Sequence, residues 1–220
     1  MNNIVIVGSS GHAKVVVDII KKNNQYNIVG YIDNHRDIGE VMLGIPVIGS
    51  DGDLPTLVDK YSLIGCIVAI GDNFTRKKVV DSIMKITPNM KFLKAIHPSA
   101  IVSDSVNIGQ GTVIMAGAIV NPCVSIGEFC IVNTSASIDH DCKLSNFVSL
   151  APNVALGGSC SIGQLSAVGI GTNLIHGVEV GENCVIGAGS LVLRAVEDNL
   201  LSYGIPAKKI RSRNIGEKYL

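Results

Sequence analysis

Starting at Ile96 and ending at Val192, every sixth residue is Ile, Val or Leu, at seventeen positions without an exception. A repeat this long and unbroken is not a chance pattern and marks a stacked array. Four residues after each aliphatic stands a small side chain, as at Ala100, Thr112, Cys130, Cys142, Cys160 and Ser190. Glycine follows the aliphatic directly at positions 109, 127, 157, 163, 169, 181 and 187, where a corner crowds any side chain.

Burying one large aliphatic contributes about 1.5–3 kcal/mol, whereas fixing the six backbones of its hexad costs about 1–2 kcal/mol each. No hexad is stable alone. Stacked layers must cover one another while their strands pair along the axis, so the series folds as one unit. The composition suits thin β-layers, with hydrophobic residues at 47%, aromatics at 4% and no tryptophan. Four of the six cysteines occupy the small slot and are read as interior hydrophobes. No C-x-x-C pair is present to suggest a metal, and no metal site is expected.

Lysine plus arginine balances aspartate plus glutamate at 18 each, so charge gives no reason to expect a nucleic-acid or membrane-surface partner. The opening residues, MNNIVIVGSSGHAK, carry no basic stretch followed by a long apolar one, and no run approaches the eighteen or so apolar residues of a membrane span. A cytoplasmic location is expected.

Residues 1–95 read as a separate α/β unit. Residues 4–7 form a short β-branched run ending at Gly8-Ser-Ser-Gly11-His12, and residues 13–22 suit an amphipathic helix. A second apolar run, 28–32, ends in Asp33-Asn34, about where a dinucleotide-binding unit keeps an acid for a ribose. A third, 64–70, ends at Gly71-Asp72-Asn73 and leads into a helix carrying Arg76, Lys77 and Lys78. The alternation predicts a small Rossmann-like parallel sheet with ligands at the carboxyl ends of its strands. The first glycine loop taken alone is a weak signal, because G-x-x-G is not G-x-G-x-x-G.

The repeated [LIV]-G-x-x-[STAVC]-x pattern resembles the left-handed parallel β-helix of hexapeptide acyltransferases, in which three hexads make one triangular coil. With GSSGHAK, YIDN, AIGDNFTRKK and AIHPSAIVS, the resemblance extends over essentially the whole chain to sugar acyltransferases of the PglD and NeuD type. It implies a nucleotide-sugar-binding unit over 1–95, a β-helix over 96–195, a tail over 196–220, and a homotrimer holding acetyl-CoA and a nucleotide-linked amino sugar between subunits. The nucleotide contacts it implies are Ser10, Gly11, His12, Asp33, Asn34 and Gly71. Acetyl-CoA is expected past Ser149, Ile170 and Ala188, with Asn133 orienting the acceptor. In the tail, a segment expected to leave the β-helix after its last coil, Lys208, Lys209 and Arg211 stand either near CoA phosphates or in solvent.

His140 is the candidate base, since a neutral imidazole accepts a proton near pH 7 and a carboxylate on its other nitrogen fixes the tautomer. Acids flank it on both sides; Asp141 is expected to make that bond, with Asp139 the alternative. One coil of eighteen residues onward stands Gly158, about 4.8 Å along the same edge, whose amide is a candidate oxyanion donor. His176 lies a further coil away, about 10 Å by the same spacing, and is expected on the surface or the acyl-CoA wall. The expected reaction is N-acetylation of a nucleotide-linked amino sugar, by resemblance a 4-amino-4,6-dideoxy sugar, through direct attack on the thioester. Two other readings remain open: O-acetylation of a sialic-acid-type sugar, and a catalytically silent scaffold that binds nucleotide sugar.

Overall fold

The structure, a computed structural model, describes residues 1–219. The amino-terminal unit is a five-stranded sheet. Its elements in chain order are β1 (Asn2–Val7), α1 (Gly11–Asn23), β2 (Tyr26–Ile32), β3 (Val41–Met42), β4 (Ile45–Gly49), α2 (Leu54–Tyr61), β5 (Leu63–Val68) and α3 (Asn73–Ile86). The strand order is β3-β4-β2-β1-β5, parallel throughout except that β3 runs antiparallel to β4. Because β1 has β2 on one side and β5 on the other, the loops after these three strands diverge and open a crevice at their carboxyl ends. Gly8, at φ +91°, makes the first turn so close to β5 that a Cβ would stand 3.1 Å from the Ala69 carbonyl oxygen.

The third apolar run is a strand only as far as Val68, and residues 69–71 form the loop after it. The segment holding β3, β4 and α2 was not foreseen from the sequence. It supplies an edge hairpin, with Val41 opposite Pro46, and a short helix that adds Leu54 and Leu57 to the core.

Beyond the sheet, seventeen two-residue strands from Ala95–Ile96 to Leu191–Val192 stack into three parallel ladders. Each strand pairs with the one eighteen residues on, as Ile119 with Ser137 and Ser137 with Ala155. This is a left-handed parallel β-helix of triangular section. The hexad aliphatics fill the prism, with Ile114, Ile138, Leu150 and Ile186 fully buried. Each glycine after an aliphatic meets the next coil: a Cβ on Gly109 would stand 2.5 Å from the Glu128 nitrogen, and one on Gly157 2.7 Å from the His176 nitrogen. From Gly111 to Gly189 the left-handed residue of the corner is another one, three places after the aliphatic, and includes Phe129, Asp141, Phe147 and Ser159.

The cysteines of the small slot do more than fill space. The thiols of Cys130, Cys142, Cys160 and Cys184 reach the carbonyl oxygens of Ser145, Gly157, Ile175 and Glu197 at 2.9–3.2 Å. Thr112, Ser166 and Thr172 do the same with their hydroxyls. Where the slot holds a thiol or hydroxyl, the side chain both fills the interior and satisfies an inward corner carbonyl.

After the last coil the chain does not simply leave. Leu200–Gly204 rejoins the first ladder, Val185 opposite Leu201, and Ala207–Ser212 folds back on it as an antiparallel partner. The same ladder faces the amino-terminal sheet, so its outward residues Val113 and Ile131 are buried against α1. Phe129 and Phe147 stack 5.1 Å apart beneath the sheet unit, and Phe92 meets Phe129 edge-on at 5.0 Å.

Candidate functional site

His140 stands on the corner that follows the strand Ser137–Ile138. Its Nδ1 lies 2.8 Å from Asp141 Oδ2, so of the two flanking acids it is Asp141 that meets the ring. Asp141 reaches back because its backbone is left-handed, at φ 60°. Asp139 is engaged elsewhere: its Oδ1 accepts from the His140 backbone N–H and from Asn121 Nδ2, both at 2.8 Å. The bond to Asp141 first, and the charge of Asp139 second, hold the His140 imidazole above its ordinary pKa. The bond from Asn121 is the main reason Asp139 stays below the ordinary carboxylate range.

One coil on, Gly158 touches this ring. A Cβ built there would stand 2.6 Å from both Nε2 and Cε1 of His140. The peptide joining Gly157 to Gly158 has its carbonyl turned inward onto the Cys142 thiol, at 3.2 Å. A trans peptide points its N–H opposite to its carbonyl, so the Gly158 N–H is aimed outward, and it has no protein acceptor among the described residues. His176 is nearer than the coil spacing suggested. Its ring centroid is 6.1 Å from that of His140, because the two side chains lean toward each other across the intervening glycine.

A second feature lies at the other end of the same face. His12, Gly71, Asn133, Ser149, Ile170 and Ala188 all line one groove of about 320 Å³, between the sheet unit and the β-helix. The residues that sequence reasoning divided between two ligands thus share one mostly apolar channel. His12 enters it from the start of α1, with a buried Nε2 that has no hydrogen-bond partner among the described residues. Burial, reinforced by the nearby Arg76, pushes its pKa down to about 4. The two histidines are therefore tuned in opposite directions, one toward holding a proton and one toward refusing it.

A third cavity, of about 230 Å³, opens at the carboxyl ends of β1 and β2 and is lined by Ser9, Ser10, Asp33, Asn34 and Asp51. Asp33 organises it. Its Oδ2 accepts from the Ser9 backbone N–H and hydroxyl, and its Oδ1 from the His35 N–H. Burial alone raises the Asp33 carboxyl, but these bonds outweigh it and hold the group below its ordinary value. Asn34 and Asp51 exchange a reciprocal pair at 2.9 Å. Gly11 lies at the exposed start of α1, with open space over its Cα.

Arg76 escaped the sequence reading, which grouped it with the basic residues of its helix. It is 1% exposed and bonds the carbonyls of Ile70 and Gly71 in the sheet unit and of Phe129 in the β-helix. Asn73 reaches the carbonyls of Leu165 and Ser166 and accepts from the Ser149 hydroxyl at 2.6 Å. A signal was present: the buried stripe Asn73, Arg76, Val80, Ile83 keeps helical spacing, so the aliphatics predict that the two polar residues also face inward. Lys208 and Lys209 stand exposed on the outer strand of the hairpin, and Arg211 pairs with Glu217 at 2.5 Å.

Residues 3–83 match the family model of the PglD N-terminal domain. PerB from Caulobacter crescentus, solved in complex with CoA and GDP-perosamine, superposes with a TM-score of 0.89 at 37% identity, covering 96% of this chain and 98% of that one. The acetyltransferase domain of PglB from Neisseria gonorrhoeae, solved with acetyl coenzyme A, gives 0.85 at 32%, covering 96% and 100%. UDP-N-acetylbacillosamine N-acetyltransferase from Bacillus subtilis is 34% identical over 120 residues, which are 53% of this chain and 52% of that protein. The chain thus spans about half the length of this curated relative in the match. A β-helix whose edge pairs a histidine with a bare glycine, a sheet unit that fits the PglD model, and likeness to PerB over nearly its full length together place this chain in the PglD/NeuD-type family of sugar acyltransferases.

Proposed function

We propose that this protein is a cytoplasmic, homotrimeric N-acetyltransferase that moves the acetyl group of acetyl-CoA to the amine of a nucleotide-linked sugar, a 4-amino-4,6-dideoxy sugar by family resemblance. The observation that carries this reading is the contact between His140 and Gly158. With Nδ1 committed to Asp141, the free Nε2 faces the bare α-carbon of Gly158, beside an outward N–H.

The chemistry follows from that arrangement. The acceptor amine attacks the thioester carbonyl while His140 Nε2 takes its proton, and the Gly158 N–H holds the oxygen that becomes negative. Collapse expels the CoA thiolate, which recovers the proton from the imidazolium. No covalent enzyme intermediate is needed. Ser10, Gly11, Asp33 and Asn34 are assigned to the nucleotide, Ser149, Ile170 and Ala188 to acetyl-CoA, and Asn133 to the acceptor, with His12 and Gly71 lining the shared groove. PerB, bound to CoA and GDP-perosamine, supports an amine acceptor.

The trimer is supported by the face that separates the two features. His140 follows one end of the strand Ser137–Ile138 and Asn133 precedes the other, so within one chain the base and the groove lie a full face apart. That face presents Ile101, 67% exposed, and the exposed Ile119. A three-fold contact joins unlike patches, and across this face it would bring the base of one subunit to the groove of the next.

The test is thiol release from acetyl-CoA with a panel of nucleotide 4-amino sugars and matched hydroxyl sugars. Release is expected with amines and lost in His140→Ala. Release with hydroxyl sugars alone refutes the N-acetyl reading in favour of O-acetylation, and a light-scattering mass of one chain refutes the shared site.

A further inference from the structure

After the hairpin the chain turns back toward the sheet unit. A turn at residues 214–217 is fastened by Glu217, whose carboxylate takes Arg211 Nη2 and the Asn214 N–H, while its backbone carbonyl accepts from Arg213 Nη2 at 2.7 Å. The bond from Arg211 pushes the Glu217 carboxyl down to about 2, so the fastening stays charged at any ordinary pH. Gly216, at φ +82°, lies flat on Phe74 of α3, where a Cβ would stand 2.7 Å from the ring. The turn delivers Tyr219 into the wall of the groove that His12, Asn133 and Ser149 line. Its hydroxyl is buried, and no well-formed acceptor for its proton is found among the described residues. The Ser149 hydroxyl and the Asn73 backbone N–H stand near it, but the N–H only donates, and the serine hydroxyl is already engaged, donating to Asn73 at 2.6 Å and accepting from Arg76 at 3.3 Å.

We propose that residues 213–219 are a strap completing the acyl-donor groove, in which the Tyr219 hydroxyl donates to a carbonyl of the pantetheine arm of CoA. This rests on the reading of the groove as the acetyl-CoA site. The groove crosses four successive strands, starting at Ile131, Ser149, Ala167 and Val185, and three spacings of about 4.8 Å make it about 14 Å long. An extended arm with two amides fits that length. Its carbonyls need donors inside a channel whose walls are mainly Ile, Leu, Val and Ala. An unpaired buried hydroxyl is costly, so a ligand that supplies the acceptor binds more tightly for it. Tyr219 is thus a positioning residue for the donor, and it leaves the reacting atoms to His140 and Gly158.

Calorimetric titration of CoA and of acetyl-CoA into the wild type, Tyr219→Phe, and a chain ending at Ser212 tests this. Loss of one neutral hydrogen bond weakens both ligands about three- to tenfold in Tyr219→Phe. The KM for acetyl-CoA rises by the same factor, and the KM for the nucleotide sugar stays put. The shortened chain loses at least as much, and Glu217→Gln, which loosens the strap without touching the groove, gives part of the loss. Unchanged affinity in Tyr219→Phe, tighter binding in the shortened chain, or a loss seen for acetyl-CoA and not for CoA each overturns the proposal. If the wild type binds no CoA, the groove assignment fails and the strap with it. If CoA binds but no amino sugar is acetylated, the acceptor reading fails while the strap is still judged by the variants.

Discussion

The imidazole of His140 rests on the α-carbon of Gly158 with no room for even a methyl group between them, since a Cβ would stand 2.6 Å from Nε2. Gly158→Ala therefore displaces the ring while leaving the 157–158 peptide in place. A misplacement of about 1 Å commonly costs about 10²-fold, so kcat is expected to fall by about that factor with small changes in both KM values. Steady-state kinetics check this, and a Gly158→Ala enzyme with wild-type kcat would remove the contact from the mechanism.

The bond to Asp141 holds His140 above its ordinary pKa. As pH falls the ring protonates and can no longer accept, so kcat/KM should decline in acid with a midpoint above about 6.5. Asp141→Asn moves that midpoint toward lower pH and lowers the plateau, because the tautomer is no longer fixed. His140→Asn loses about 10²–10⁴-fold in kcat. A pH profile that Asp141→Asn leaves in place would assign the limb to another group.

His12 behaves in the opposite sense. Its pKa in the folded protein is about 4, below the ordinary value of about 6.5 in an unfolded chain. Between those values the unfolded state binds a proton that the folded state refuses. The contribution is fully present above pH 6.5 and is lost as pH falls toward 4, up to about 3 kcal/mol. Urea midpoints at pH 7 and pH 5 should differ more in the wild type than in His12→Gln. Equal differences would mean that the ring is not buried as described.

Inside the prism, Cys142 fixes the peptide whose other end is the proposed oxyanion donor. Cys142→Ser keeps a donor for the Gly157 carbonyl and should preserve kcat. Cys142→Val, the aliphatic that fills the same slot at Val154, leaves the carbonyl unpaired, costing about 1 kcal/mol or more in stability and lowering kcat as the peptide is freed to tilt. If valine and serine are equally active, the thiol is only a space-filler.

That cysteine also illustrates where sequence reading succeeds and stops. The sextet of aliphatics names the prism because every coil repeats the same packing demand, and coil arithmetic alone brings residues 140 and 158 together. A thiol in a small slot is silent about its donor role, since Ala136 and Val154 fill the same slot without one. The left-handed corner positions were equally hidden, because Phe129, Asp141 and Leu165 share no chemistry and only their backbone angle unites them. Arg76 and Tyr219 were out of reach for another reason. Both act across the boundary between sheet and β-helix, at separations in sequence that no local period measures.

Stacking in steps of eighteen also limits how a molecule of this design can change in size. Losing one residue between 96 and 192 would throw every later aliphatic out of phase and spill the interior into water. Losing six would keep the filling but turn all that follows by one third of a revolution, and between residues 140 and 158 it would send an imidazole and its glycine to different edges. Only a whole revolution can be added or removed with both the packing and the reaction intact, so lengths of such prisms are quantised by their own pitch.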